Sequence, residues 1–593
     1  MPLLQRLLKC GQVHRIALSS GAASSLPTFP EELIVGNAAD LLRDHWQGQL
    51  LVVGAIGAVT RLIAPLLSIK ESDPGVLVLD ADGRSVVPLL GGHQAGAEAW
   101  ARELAALLGG QAVITGDSSS QQRLALDNFG HDWGWVRSGD AACWRTLMID
   151  LAQGQGLEVK QSCGSSHWRE CKGAGALDRG PASSPLLITA EQAFDSTDAS
   201  CRWHPAVLWL GVGCERNTSI GLIERAIDAA LSEAGLAREA VAGLSTIDRK
   251  GDEAALLKLA EQHDWPMRLH SSEALASITV PTPSAVVAAE MGTASVAEAA
   301  ALRAAGPEAR LRLPKRIEKA NNNSEQGAVT IAIAEGRDAF APQRGELHLI
   351  GSGPGDLALL TPDARQALSR CVAWVGYGLY LDLLEPLRRP DQVRLDGQLT
   401  RERDRCLQAL HLAQQGARVA LVSSGDSGIY GMAGLALELW LSLPDQERPR
   451  FEVHPGISAL QLAAARAGAP LMHDFCTISL SDRLTPWEVI EKRLEAAAAG
   501  DFVVALYNPR SKGRDWQLER ARQILLNGRP TTTPVVVARQ LGRSEEAVEL
   551  QELGSLPVES VDMLTVLVIG NSSSRVSAGK LVTPRGYPGA ELN

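Results

Sequence analysis

ELHLIGSGPGD, residues 346–356, decides the reading of the C-terminal half: an apolar run of strand length empties into three glycines, a proline and an aspartate. Such a run reads as a buried strand of an α/β sheet, and its loop lies at the carboxyl end, where open α/β sheets bind ligands. Gly351, Gly353 and Gly355 permit a tight turn with close backbone approach, while Pro354 stiffens the turn and removes one donor. A dinucleotide fingerprint, G-x-G-x-x-G, fails here because Asp356 stands at its third glycine and proline interrupts the loop.

Working outward, five further words follow in fixed order: VSSGDSGIYG (422–431), HPGISAL (454–460), HDFCTISLSDRLTPW (473–487), LYNPRSKGRDWQ (506–517) and TPRGY (583–587). The second follows the strand ARVALVSS, so its loop, with Ser424, Gly425, Asp426, Ser427, Gly428 and Gly431, converges on the same sheet edge. Asp426 can accept hydrogen bonds from a ligand ammonium or hydroxyl, or serve as a turn or cap aspartate. Tyr430 can stack or donate at the rim of a cleft.

The chain has 593 residues, too many for one core, and three to five domains are expected at roughly 100–200 residues each. Aromatic residues are only 4%, which favours α/β layers with aliphatic cores over β-sandwiches. A net charge of −11 argues against a general nucleic-acid binder, although it leaves room for local arginine pockets that hold an anionic small molecule. Nine scattered cysteines without a C-x-x-C pair suit reduced thiols in the cytoplasm. The Cys163, His167 and Cys171 spacing matches no zinc or iron–sulfur signature, so no resident metal is expected. No apolar run reaches the roughly 18 residues of a membrane span, and no membrane partner is expected.

Residues 1–35 read as a leader. In 36–133 the strands LLVVGAIG (50–57), GVLVLDADG (75–83) and AVIT (112–115) alternate with helical patterns, which implies parallel βαβ units. Residues 134–205 are irregular and rich in Gly, Ser, Cys and Trp. A third unit, 206–337, opens with VLWLGVGCERNTS (207–219), continues through GLSTID (243–248) and closes on AVTIAIA (328–334). A linker, 338–345, precedes a final unit, 346–593, divided near 455–475.

In this order the C-terminal words resemble the tetrapyrrole methyltransferase family. HDFCTISLSDRLTPWEVIEKR, ALYNPRSKGRDWQ and LVTPRGY look like its precorrin-3B (cobalt-precorrin-3) C17-methyltransferase branch. The resemblance implies two α/β subdomains with S-adenosylmethionine between them, a homodimer, and an anionic tetrapyrrole substrate. Carried over, it places the cofactor against 351–356 and 424–431. Ser479, Leu480, Ser481, Tyr507, Asn508, Met563 and Thr565 would close around it. The implied chemistry is attack of a ring carbon on the sulfonium methyl, in which the enzyme mainly orients the reactants. The coupled ring contraction needs proton transfer, with His473 and Asp474 as candidates and His454 as a weaker one, each also readable as a structural hydrogen-bonder. Arg483, Arg510, Lys512 and Arg514 suit the substrate's carboxylates, or form an ordinary solvated basic loop. RLDGQLTRERDR (394–405) departs from the family's Ser-Gly-containing turn.

The N-terminal half resembles the cobalt-precorrin-5A hydrolase of cobalamin synthesis. AIGAVTRLIAPLLSIKESDPGVLVLDADGRSVVPLLGGHQAGA (55–97) carries the likeness first, then LGVGCERNTSIGLIERAI, LSTIDRKGDE, PTPS and GTASVAEAAAL. The implied reaction is water attack on a δ-lactone with release of acetaldehyde, which needs a base and an oxyanion stabiliser. His93 is the base candidate, although a lone histidine in a turn is also a common structural residue. Arg61, Gly213, Thr218, Asp248 and Glu298 are candidate substrate contacts, with Thr246 and Lys250 as supports. Two rivals stand beside this fusion: a non-catalytic tetrapyrrole-binding scaffold in residues 1–340, and a nicotinamide-dependent oxidoreductase.

Overall fold

The computed structural model describes residues 3, 7, 17–23, 34–68, 73–91, 97–114, 126, 129–152, 155–176, 185–193, 200–321, 325–398, 401–511 and 513–588. The chain is α/β throughout, built as successive sheets with helices on their faces. Among the described residues no single helix is long and apolar enough to cross a membrane.

After a two-stranded parallel pair of Ala17–Ser19 and Ile34–Gly36, a four-stranded sheet runs Gln49–Val53, Gly75–Leu79, Ser85–Leu90 and Gln111–Ala112, in that spatial order. Gln49–Val53 and Gly75–Leu79 pair in parallel as expected, and the sheet is mixed because a further strand, Ser85–Leu90, lies antiparallel to Gly75–Leu79. The Asp80 turn causes this, since Gly83 N–H donates to Asp80 O at 3.1 Å and Arg84 N–H to Asp80 Oδ1 at 2.7 Å, closing a hairpin.

Residues 134–205, read as irregular, hold a four-stranded sheet of Val136–Ser138, Cys201–His204, Leu186–Ile188 and Val159–Gln161. These strands are too short for a period-2 pattern to register. Trp133, Trp135, Trp144, Trp168 and Trp203 are buried in a core shared with Leu347, Leu349, Val375, Val393 and Leu410 of the last unit. The module is therefore packed onto the C-terminal half as well as tethered to it.

The third unit is a five-stranded sheet in the order Met267–His270, Val241–Ile247, Leu208–Cys214, Ala328–Glu335, Arg310–Lys319. The first three strands are parallel and the last two antiparallel. At Gly211 a Cβ would fall 1.8 Å from Ala297 O, so this glycine lets helix Val296–Ala305 lie on the strand. The stretch 338–345 is a packed joint. Phe340 lies 5.4 Å from Trp209, the Arg268 guanidinium stacks on both rings, and Arg268 Nε meets Glu447 Oε1 at 2.7 Å.

Among the described residues the last unit has two five-stranded sheets and a small three-stranded one, in the order Gly468–Ala469, Lys580–Val582, Arg575–Ser577. The first is all parallel, in the order Val393–Gly397, Ala373–Tyr377, Arg418–Ser423, Glu346–Gly351, Arg450–His454. The second is mixed: Phe475–Ser479, Val503–Tyr507, Thr565–Ile569, Pro534–Arg539, Ala547–Glu552.

Candidate active site

Three neighbouring strands of the all-parallel sheet, Glu346–Gly351, Arg418–Ser423 and Arg450–His454, send their loops to one carboxyl edge. The loops touch through backbone. Gly353 and Gly425 exchange two hydrogen bonds, of 3.0 and 2.8 Å. A Cβ on Gly456 would fall 2.1 Å from Gly425 O and 2.6 Å from Gly351 O, so only glycine allows this approach. Asp426 holds the arrangement, its Oδ1 accepting from Gly428 N–H at 2.8 Å and its Oδ2 from Gly456 N–H at 3.1 Å. Asp356 caps the following turn, accepting from Ala358 N–H at 2.9 Å. Both carboxylates thus shape the loops, and 428–431 is the exposed part of the second one. Pro354 and Ser427 are buried; Ser424 and Gly355 are partly accessible.

The second sheet faces this edge. Tyr430, at φ 53°, donates its hydroxyl to Thr477 O at 3.0 Å, crossing from one subdomain to the other. Its ring lies 5.2 Å from that of Tyr507, whose hydroxyl accepts from Leu460 N–H at 3.0 Å. Burial pushes the Tyr507 phenol above its usual range. Asn508, also left-handed at φ 51°, donates to Ser479 Oγ at 3.0 Å, and Ser481 N–H reaches the same oxygen at 3.3 Å. A contact that sequence reasoning missed closes the edge. Gly542, on the loop after Pro534–Arg539, lies so near 354–356 that a Cβ on Gly355 would fall 2.9 Å from Gly542 O. An isolated Leu-Gly-Arg in a polar loop carries no signal of it.

Arg514 is buried, and its guanidinium is committed to Leu480 O at 2.9 Å, Asn508 O at 3.1 Å and Ser511 Oγ at 3.1 Å, with Met563 Sδ at 3.6 Å. It organises Leu480, Asn508 and Met563 in place of facing a carboxylate, which corrects the substrate-contact expectation; desolvation lowers its pKa. Thr565 is buried and donates to Asp562 Oδ1 at 2.7 Å. Arg510 is half-buried against Val558 O at 3.1 Å, and Arg483 is exposed. Lys512 lies outside the described residues.

His473 and Asp474 are not brought to this cluster. They precede strand Phe475–Ser479, with Ser479 at its far end, six residues or about 20 Å of extended chain away. His473 is exposed, with its Nε2 engaged to Pro584 O at 2.8 Å, and Asp474 is exposed beside it. His454 is buried beneath the loops and bonded to His348 and Asp363.

In the N-terminal half, His93 lies outside the described residues. Arg61 is exposed and donates to Gly57 O within its own helix at 2.8 Å. Thr218 is buried and donates to Glu215 O at 2.9 Å. A Cβ on Gly213 would meet Thr330 Oγ1 at 2.6 Å. Glu298 is fully buried, accepting from Thr282 Oγ1 at 2.6 Å and Lys315 N–H at 3.1 Å. Thr218 and Glu298 build the domain, which corrects their assignment as substrate contacts, while Gly213 is partly accessible. Asp248 is exposed and bonds Arg249 N–H at 2.7 Å. Thr246 is buried against Val212 O at 2.6 Å. The charge that does gather at this sheet's carboxyl end is Glu253: Oε1 accepts from Asn217 N–H at 2.9 Å, and Lys250 and Arg216 each stand 3.7 Å from Oε2. That Oε2 is buried without a hydrogen-bond partner.

Residues 346–557 match the family model of tetrapyrrole (corrin/porphyrin) methylases, 208–334 that of the cobalamin synthesis G C-terminus and 40–119 that of its N-terminal domain. A probable cobalt-factor III C(17)-methyltransferase of Salmonella typhimurium is 47% identical over 243 residues, which are 41% of this chain and 99% of that protein. The chain belongs to the tetrapyrrole methylase family. A precorrin-3B C(17)-methyltransferase of a Sinorhizobium species is 40% identical over 252 residues, 42% of this chain and 98% of that protein. The solved structure of the methyltransferase CobJ is 39% identical, covering 40% of this chain and all of that one, with a TM-score of 0.39. The chain joins this methylase to a cobalamin-synthesis-G pair of domains, and the fusion read from the sequence is borne out.

Proposed function

We propose that this chain carries out two steps of corrin-ring construction: S-adenosylmethionine-dependent C17 methylation with ring contraction in 346–593, and hydrolytic opening of the resulting lactone in 36–337. The observation that carries the first activity is the backbone-to-backbone packing of three glycine loops at one sheet edge, bridged to the second subdomain by Tyr430. The donor set fits the cofactor. Ser479, Ser481 and Asn508 offer hydroxyl and amide partners for a ribose and amino-acid end, and Tyr430 and Tyr507 offer aromatic faces for a purine. Bound there, the cofactor supplies an electrophilic sulfonium methyl. The chain's own work is orientation: Asp426 and Arg514 fix the loops, and the rim holds the macrocycle over them. Arg510 and Arg483 stand by the same loops for the substrate's carboxylates. The methylase half is proposed to pair as a homodimer.

For the second activity His93 stays the proposed base, with Glu253 and Lys250 as a charged pair at the carboxyl end of the third unit's sheet. Calorimetric titration with S-adenosylhomocysteine and with NAD tests the cofactor; binding of NAD alone refutes it. Acetaldehyde release from the ring-contracted lactone tests the second half. Release that is lost in His93→Ala supports the base, and no release from the wild type supports the scaffold rival.

A further inference from the structure

Beneath the glycine loops, His348 and His454 face each other from neighbouring strands of the all-parallel sheet. The register pairs His348 with Glu452 and Ile350 with His454, so His348, Glu452 and His454 project from one face. His348 Nδ1 lies 2.9 Å from His454 Nε2, and Glu452 Oε2 lies 3.5 and 3.7 Å from those two nitrogens. Each ring's other nitrogen meets a carboxylate: His348 Nε2 meets Glu346 Oε2 at 2.8 Å, and His454 Nδ1 meets Asp363 Oδ2 at 2.8 Å. Arg370 and Arg418 pair with Glu346 at 3.1 and 3.2 Å.

The hydrogen-bond inventory is then constrained. Ionised carboxylates only accept, so each outer nitrogen carries its ring's proton and each inner nitrogen of a neutral ring presents a lone pair. Two lone pairs and a carboxylate oxygen converge on one point, which calls for a positive centre: a shared proton or a metal ion. We propose that His348, His454 and Glu452 bind a divalent transition-metal ion of the Zn2+ or Co2+ type.

Three features favour the ion. A tetrahedral ion about 2.1 Å from its nitrogens spaces its ligands about 3.4 Å apart, and the three separations here, 2.9, 3.5 and 3.7 Å, bracket that spacing. Both histidines already have the carboxylate partner that orients a metal-bound imidazole. Two imidazoles and one carboxylate suit borderline metals better than Mg2+ or Ca2+, which prefer all-oxygen shells. His348 and His454 are buried, while Glu452 is partly exposed on the edge strand and leaves a route in from solvent. The ion would join the two strands Glu346–Gly351 and Arg450–His454, the second of which leads into Gly456 two residues on, and so brace the proposed cofactor edge from below.

The test uses the full chain, freed of metal with a chelator and then titrated with Zn2+ calorimetrically and with Co2+ by visible absorption. The expected result is one tight equivalent per chain with tetrahedral Co2+ bands. That equivalent should vanish in His454→Gln and weaken at least tenfold in Glu452→Gln, while exposed His411→Gln keeps it. Asp363→Asn should weaken it roughly 10–100-fold. Glu452→Gln, whose site is partly exposed, guards against a folding defect: its metal-free melt should match that of the metal-free wild type. A wild type that takes up no equivalent, leaving the shared proton alone, overturns the proposal, as does an equivalent that survives both His454→Gln and Glu452→Gln.

Discussion

Replacing Gly456 by alanine isolates the packing on which the cofactor edge rests. The backbone at Gly456 lies outside the left-handed region, so alanine is acceptable to the chain itself and the effect is purely one of space. Its Cβ would sit 2.1 Å from Gly425 O, against a closest ordinary approach of 3.0 Å, so one loop must retreat by about 0.9 Å. Retreat from Gly425 is opposed on the other side by Gly351 O at 2.6 Å, and Asp426 ties Gly456 N–H in place. Overpacking of this kind costs about 1–3 kcal/mol; if the loop relieves it by retreating and must return to bind, that is at most roughly 5–150-fold in a binding constant at about 1.4 kcal/mol per factor of ten. Titration with S-adenosylhomocysteine should show a loss of that size. Gly434→Ala is the control: it lies in helix Ala433–Leu441 with nothing within 4 Å of its new methyl, and should bind as the wild type does. Unchanged binding and unchanged melting in Gly456→Ala would refute the packing argument.

Arg514→Ala removes buried charge-assisted bonds to Leu480 O and Asn508 O; at about 1.5–3 kcal/mol each, thermal melting should fall clearly and KM for S-adenosylmethionine should rise, whereas a surface role would leave both alone. Burial raises the Cys163 thiol to about 12, so at pH 8 iodoacetamide should leave it unlabelled in the folded chain and label it after denaturation, as read by peptide mass spectrometry. The Arg388 hydrogen bond, helped by Lys172 and opposed by desolvation, lowers the Glu385 carboxyl from 4.5 to about 2. A depressed carboxyl stabilises the fold above its unfolded value and loses that contribution as pH falls through the folded one. The module carrying Lys172 should therefore loosen between about pH 4.5 and 2, and less steeply in Glu385→Gln, measured by tryptophan fluorescence.

Local signals were legible. The strand–glycine-loop words and the aliphatic strands give the α/β class and the meeting of the glycine loops at one sheet edge directly, because their spacing lies within a few residues. The Ser85–Leu90 hairpin is hidden by Pro88, which breaks the strand pattern after the Asp80 turn. Strands of three or four residues left no period in the tryptophan-rich module. What stayed illegible is long-range. Arg514 looked like a basic-loop residue until its carbonyl partners, as far off as Leu480, were in view. His348 and His454, 106 residues apart, have no spacing signature at all. His473 and Asp474 illustrate the converse: one sequence word spans both ends of the strand Phe475–Ser479, so its members lie apart in the fold.

The most direct measurement is mass spectrometry of the purified chain incubated anaerobically with S-adenosylmethionine and a cobalt-precorrin-3-type tetrapyrrole. The account predicts a product heavier by one methyl group that carries the contracted-ring lactone, and its loss when S-adenosylhomocysteine is added in excess. A chain that binds neither S-adenosylmethionine nor its demethylated product, and moves no methyl onto this tetrapyrrole or its metal-free precorrin-3B counterpart, would contradict it.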